Sequence, residues 1–155
     1  MASTRWLNDD EQAAWRAYLL MTQLVDEVLD RQLQRDAKMP QAYYSVLVRL
    51  SEAGDHSVRM SDLARSLRYS QSRMTHTISS MERSGWVVRH SCPNDRRSQL
   101  VDITNHGIET LRAAAPGHVA AVRQAIFDKL SSEQVDQLRT ICTTILHGLD
   151  TPVEE

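Results

Sequence analysis

The spacing of apolar residues changes at Gly85, in the middle of this chain, and that change constrains the fold more than any other feature. Before Gly85 the apolar residues recur three and four apart, as on helices: Leu63, Ala64, Leu67, Met74, Ile78 and Met81. After Gly85 come two short β-branched segments, residues 86–91 and 99–104, with seven turn-forming residues between them. The sequence therefore predicts two short helices, capped by Ser61 and Ser70, followed by a β-hairpin.

Two short helices joined by a tight turn at Arg68-Tyr69 are typical of a helix-turn-helix, and the hairpin follows where a wing would lie. The outer face of the second helix carries arginine, glutamine, histidine and hydroxyl groups, with no acid before Glu82. Serine and threonine are mediocre helix formers, so helix stability alone does not explain this face. Such side chains read base edges or hold phosphates, and the free N–H groups of a first helical turn attract phosphate too.

The hairpin loop adds a second basic element. Arg96 and Arg97 are expected to reach into a narrow minor groove, where the electrostatic potential is most negative. Asp95 would be repelled by phosphate, so we expect it to orient a neighbouring arginine. The candidate nucleic-acid-binding residues are Ser70, Gln71, Ser72, Arg73, Thr75, His76, Ser80, Asp95, Arg96 and Arg97.

Positive charge is concentrated in the same region. Residues 58–98 hold eight arginines and three acids, a net charge of +5, although the whole chain carries −2. A basic centre between acidic ends is typical of a polyanion-binding module held by a scaffold that does not itself bind.

Helices are predicted on both sides of this region. The first is capped by Asn8 or Asp9 and breaks at residues 36–39, and the second begins with Pro40 and ends at Gly54. Because the apolar stripes of the first and last helices exceed what one small lobe can cover, they favour a dimer.

The last third of the chain returns to helical spacing. Pro116-Gly117 is expected to kink or split the first of its helices. Ser131 lies three residues before Gln134, which is the spacing of a capping box at the start of the final helix.

Composition excludes several classes of protein. The longest apolar run has five residues, whereas a bilayer span needs about 20. The amino terminus has no apolar signal core. Two cysteines cannot form a disulfide framework and fit a reducing compartment. We therefore expect a cytoplasmic protein without membrane contact.

Several motifs together resemble the multiple-antibiotic-resistance regulator (MarR) family. They are Leu63-Ala64-x-x-Leu67, the segment 70–86, the wing signature Asp95-Arg96-Arg97 and the strand ending Thr104-x-x-Gly107. The resemblance implies a mainly α fold with a small β-hairpin wing. A winged helix-turn-helix DNA-binding lobe, residues 36–103, would stand on a helical dimerisation region, residues 1–35 and 104–155.

The resemblance also implies a function. It indicates a transcriptional regulator, expected to be a ligand-responsive repressor, that binds pseudo-palindromic double-stranded DNA operators as a homodimer without a cofactor. The two recognition helices would then lie about 34 Å apart, one turn of duplex. A small aromatic or anionic effector would bind between scaffold and lobes, where we place Trp15, Arg16, Leu19 and Tyr44, although aromatic stripes more often pack as core.

Three alternatives stay open. The sequence has no glycine-rich phosphate loop, Gly-x-Ser-x-Gly turn or His-Glu-x-x-His pair, so no catalytic or metal residue is assigned; distant histidines leave metal sensing open. Redox sensing would use Cys92, expected to be exposed near arginines, whereas Cys142 is expected to be inert packing. A protein-interaction module of the same fold would not need arginines at both the helix and the wing.

Overall fold

The computed structural model describes residues 4–92 and 95–149, with the backbone alone at residues 95–97. A mainly helical fold with one small sheet is confirmed. The helices are α1 (Asp9–Ala37), α2 (Gln41–Glu52), α3 (Met60–Ser66), α4 (Gln71–Arg83), α5 (Asn105–Ala125) and α6 (Ser132–Leu149). The strands are β1 (Ser57–Arg59), β2 (Val87–Cys92) and β3 (Asp95–Ile103), and a 3-10 turn, Phe127–Lys129, precedes α6. Within residues 4–92 and 95–149, no helix is both long and apolar enough to cross a membrane.

The chain forms two compact units. The lobe unit contains residues 26–119, and the terminal unit contains the residues up to 25 and from 120 onward. Both divisions fall inside helices, α1 and α5, and not at the boundaries 35/36 and 103/104 predicted from the sequence. Those boundaries divide the chain by function, and that division stays a prediction.

The core of the lobe unit is built by every element from α2 to β3, together with parts of α1 and α5. The predicted apolar faces of α3 and α4 are confirmed, since their side chains lie in this core. Fully buried side chains come from α1 (Leu33), α2 (Val46, Leu47, Leu50), α3 (Leu63), α4 (Met74, Ile78, Met81) and the sheet (Val87, Val101). Burying a residue of this size contributes about 1.5–3 kcal/mol, so these helices are held by packing more than by propensity.

The sheet is antiparallel, with β3 between β1 and β2. Its hairpin loop is shorter than the predicted seven residues, because Cys92 already pairs with Asp95. The register shifts between Ser91, which pairs with Gln99, and Cys92, so strand pairing continues into residues whose composition favours a turn. Residues 95–97 therefore begin a strand.

A capping box begins the first helix, α1, and another begins the last helix, α6. Asn8 accepts the Glu11 N–H at 2.8 Å while Glu11 accepts the Asn8 N–H at 2.8 Å. Ser131 and Gln134 make the same exchange at 3.2 and 2.9 Å, as predicted.

Three predicted helix boundaries are wrong. Pro40 is the N-cap of α2 and not its first residue. Gly54 does not end α2, which stops at Glu52 with Ala53 as an extended C-cap. Ser61 lies inside α3, whose N-cap is Arg59; pairing of β1 with β3 carries the chain directly into that helix.

The helix α5 is not split at Pro116, which lies inside it. A proline removes one backbone hydrogen bond from a helix. Ala114, two residues earlier, is buried in the lobe core, so packing holds the helix across this position.

The apolar stripes of the first and last helices are largely uncovered in the single chain. On α1, Leu29 and Leu33 are buried, but Trp15 is 51% exposed and Leu19 46%. On α6 the exposed side chains include Ile141, Ile145, Leu146 and Leu149. Exposed apolar side chains in such number are typical of an interaction site.

A close contact joins the sheet to α4 and α5. The Thr104 hydroxyl donates to the Gly85 carbonyl oxygen at 2.7 Å and accepts the Gly107 N–H at 3.0 Å. A Cβ on Gly107 would lie 2.2 Å from the Trp86 carbonyl oxygen. Only glycine fits at residue 107 without moving the backbone.

Gly107→Ala is therefore expected to destabilise the protein by about 1–3 kcal/mol, the range for overpacking a tight site. Gly148→Ala in α6 is the matched control, because a Cβ there would meet nothing within 4 Å. The control should gain up to about 1 kcal/mol from helix propensity. Urea unfolding of both variants measures the difference, and equal stabilities would contradict the assigned contact.

Candidate nucleic-acid interface

The amino-terminal end of α4 is held in place by the turn before it. Arg68 adopts a left-handed backbone with φ of 55°, and the Tyr69 N–H donates to the Ala64 carbonyl oxygen at 2.9 Å. Ser70 then caps the helix by accepting the Arg73 N–H at 3.2 Å, as predicted. These contacts fix where the free N–H groups of the first turn of α4 lie.

The two faces of α4 differ as the sequence predicts. Met74, Thr77, Ile78 and Met81 are buried. Ser80 is half-buried, and its hydroxyl oxygen accepts a hydrogen bond from the Arg83 guanidinium at 2.8 Å. The remaining predicted helix residues are exposed along one surface: Ser70, Gln71, Ser72, Arg73, Thr75 and His76.

Hydroxyl groups on this surface differ in what they can offer a ligand. The Thr75 hydroxyl donates to the Gln71 carbonyl oxygen at 2.8 Å, so its proton is already used within the helix. Ser70 and Ser72 lie 3.2 Å apart, oxygen to oxygen, at the start of α4. Thr75 is therefore best suited to accept a hydrogen bond, while the serine pair lies beside the free N–H groups.

Arg73 lies over the ring of Tyr69, a residue predicted from the sequence only as part of the turn. Its guanidinium carbon lies 3.9 Å from the centre of the Tyr69 ring, well within the range of a cation–π interaction. The available signal was an aromatic residue four positions before an arginine across a helix cap.

An ion pair connects the end of α4 to the sheet. Arg89 on β2 donates to the Glu82 carboxylate at 2.9 Å, and both side chains are less than a third exposed. A partly buried charge-assisted bond holds its partners more firmly than a surface pair does. The orientation of the wing relative to α4 is fixed in part by this contact.

The predicted wing residues Asp95, Arg96 and Arg97 lie in the first three positions of β3, and their side chains fall outside the described residues. Their roles stay predictions. On the neighbouring strand, Arg59 donates to the Ser98 hydroxyl at 3.4 Å. Arg59 belongs to the basic region of the sequence, but its position beside the wing could not be predicted, because only strand pairing brings the two segments together.

The four residues predicted to line an effector pocket divide between the two units. Trp15 and Arg16 line an open cavity of about 270 Å³ in the terminal unit, and Leu19 is exposed there. Tyr44 is buried in the lobe core, with its ring 4.4 Å from the His118 ring. Burial raises the pKa of the Tyr44 hydroxyl and lowers the pKa of the His118 imidazole.

The expected exposure of Cys92 is wrong, since its side chain is buried, at 7% exposure, at the end of β2. Cys142 is exposed in the single chain, as is most of α6, and its packing in the apolar stripe stays a prediction. Burial separates the Cys92 sulfur from solvent oxidants, which weakens the case for a redox sensor at the wing. In the part of the chain that the structure describes, no three His, Cys, Asp or Glu side chains gather as metal ligands do.

Comparison with known proteins gives consistent matches. The family model described as "MarR family" matches residues 39–99. The transcriptional repressor MprA of Escherichia coli K12 is 29% identical over 138 residues, which cover 85% of this chain and 78% of MprA.

Solved structures match over almost the whole length. Sco3205, a MarR family transcriptional regulator from Streptomyces coelicolor crystallised with DNA, is 45% identical, with a TM-score of 0.93. The match covers 97% of this chain and 94% of Sco3205. AbsC, a MarR family regulator from the same organism, is 40% identical with a TM-score of 0.88, over 94% of this chain and 98% of AbsC.

Proposed function

Because this chain belongs to the MarR family of transcriptional regulators, we propose that it represses transcription by binding double-stranded DNA operators as a homodimer. The observation that carries the proposal is the exposed face of α4, where Arg73, His76 and Gln71 lie beside a capped helix start. The DNA complex of Sco3205, 45% identical to this chain, supports it. Because a regulator of this kind acts on chromosomal DNA, we place it in the cytoplasm.

The residues divide into two roles. Gln71, Arg73 and His76 project from the recognition helix and read base edges in the major groove, where arginine pairs with guanine and glutamine with adenine. Ser70 and Ser72, beside the free N–H groups of α4, bind phosphate oxygens. Thr75 and Ser80 contribute hydroxyl contacts along the same face.

The wing supplies the second contact. Arg96 and Arg97 enter the adjacent minor groove, and Asp95 orients one of them by a bidentate pair. The Glu82–Arg89 ion pair supports this arrangement, because it ties the wing strand to the helix that reads the major groove.

Dimerisation is supported by the exposed apolar side chains of α1 and α6. A two-fold assembly would bury them and present two recognition helices about 34 Å apart, to successive turns of the same DNA face. A single lobe would bind only one half-site of the operator.

We place an effector site beside Trp15 and Arg16, where the terminal unit has an open cavity. An aromatic ring and a guanidinium suit a small aromatic or anionic molecule. Leu19, exposed in the same unit, belongs to the proposed site, whereas Tyr44 is buried in the lobe core and is not assigned to it.

DNA binding is tested with the purified chain and duplex fragments from its own genome. Binding through several phosphate contacts should weaken about 10³-fold or more between 50 and 200 mM salt. Fluorescence anisotropy across that range measures the slope. Absence of binding to any genomic fragment at low salt would overturn the proposed function.

The two roles predict different losses. Arg73→Ala should cost about 1–3 kcal/mol, mainly on the selected operator. Arg97→Ala should weaken binding to operator and random duplex alike, with only a modest loss of discrimination. Titrations on both DNAs distinguish them, and equal losses from both variants on both duplexes would refute the division.

The dimer is tested at α6. Ile145→Asp places a charge in the exposed apolar stripe and should give a one-chain mass by light scattering, whereas the unaltered chain gives a two-chain mass. Thr143→Asp is the control, because residues two apart on a helix point in nearly opposite directions. A one-chain mass for the unaltered protein would contradict the proposed assembly.

A further inference from the structure

We propose that Tyr69 is a specificity-determining residue that acts through Arg73. Its ring holds the guanidinium in the position from which Arg73 reads a base. The inference rests on the proposed function, because it assigns a role within DNA recognition. It adds a residue that makes no DNA contact of its own.

The Tyr69 ring is a fixed platform. Tyr69 is half-buried and packs against the core cluster of the lobe unit. Its N–H donates to Ala64 at 2.9 Å, and the left-handed residue Arg68 precedes it. Backbone and ring are therefore both held before α4 begins.

Arg73 needs such a platform more than its neighbours do. It is the third residue of α4 and is exposed, and a long side chain in solvent samples many rotamers. Binding DNA must suppress those rotamers, and any ordering done beforehand lowers that cost. Gln71 and His76 have shorter side chains and lose less.

Stacking orders the guanidinium without using its hydrogen-bond donors. The guanidinium carbon lies over the Tyr69 ring, 3.9 Å from its centre. A cation held by the face of a ring needs no hydrogen-bond acceptor, so the N–H groups of Arg73 stay available for the bidentate pair with guanine. A carboxylate partner would instead occupy the donors that the base requires.

Two carboxylates lie close enough to offer that competing arrangement. Asp26 and Asp30 of α1 line the same open cavity, of about 400 Å³, as Tyr69 and Arg73. Asp30 already accepts the Gln41 N–H at 2.8 Å. Among the described residues Arg73 contacts the Tyr69 ring but forms no ion pair. The structure therefore favours a guanidinium held by the ring over one paired with Asp26 or Asp30.

The test is a double-mutant cycle on two duplexes: the genomic fragment that the unaltered full-length chain binds most tightly, and a random duplex of equal length. The variants are Tyr69→Phe, Tyr69→Leu, Arg73→Ala and the double variant Tyr69→Leu/Arg73→Ala. Tyr69→Phe keeps the ring and should bind the selected fragment within about 2-fold of the unaltered chain. Tyr69→Leu should weaken that binding about 2- to 5-fold per half-site, or about 4- to 25-fold over two half-sites.

The specific signature is the dependence on Arg73. In the Arg73→Ala background Tyr69→Leu should have no further effect, and on random duplex it should change affinity less than 2-fold. A purely structural role for Tyr69 would weaken both duplexes and persist without Arg73, which would overturn the proposal. Tighter binding of DNA by Tyr69→Leu would also overturn the proposal, because the ring would then be keeping Arg73 away from the base.

Two controls distinguish a role of Tyr69 in recognition from misfolding of the variant and from a failure of the chain to bind DNA. Thermal unfolding establishes that Tyr69→Leu is folded, and Tyr69→Met is the second ring-free variant should leucine fail to pack. If the unaltered chain binds neither duplex, the proposed function fails. If it binds the selected fragment and all Tyr69 variants match it, only the role of Tyr69 fails.

Discussion

Burial of one face of α4 is the interaction on which the rest of the lobe depends. Met74, Ile78 and Met81 are fully buried against α2, α3 and the sheet. Because a helix rotates about 100° per residue, fixing that face also fixes which residues point outward. The exposed polar surface of α4 is thus a product of the core, and substitutions on it leave the packing intact.

Short polar contacts within the lobe unit connect the two elements proposed to bind DNA, α4 and the hairpin. Thr104 closes the sheet onto the end of α4 by way of Gly85, and Glu82 binds Arg89 on the first wing strand. Neither contact requires side chains at the interface itself. These contacts position α4 and the hairpin without using their outward-facing residues. Those outward-facing residues can therefore change without altering the fold.

The sequence predicted what depends on local spacing and missed what depends on pairing. Helical periodicity located α3 and α4, and the Ser70 cap follows from local chemistry. The predicted hairpin loop is too long because strand pairing overrides turn propensity beside Cys92, and the burial of that cysteine does not follow from local spacing either. Stacking of Arg73 on Tyr69 crosses a helix boundary, where no helical period applies.

The uncovered stripes of α1 and α6 have a consequence for the amount of protein in a cell. For a homodimer of the proposed kind, folding stability is tied to chain concentration, since a lone copy leaves side chains such as Trp15 and Leu146 in water. A newly made chain at low abundance would then be exposed to proteases until it meets a second. Expression level would set the lifetime of the regulator as well as its occupancy of DNA.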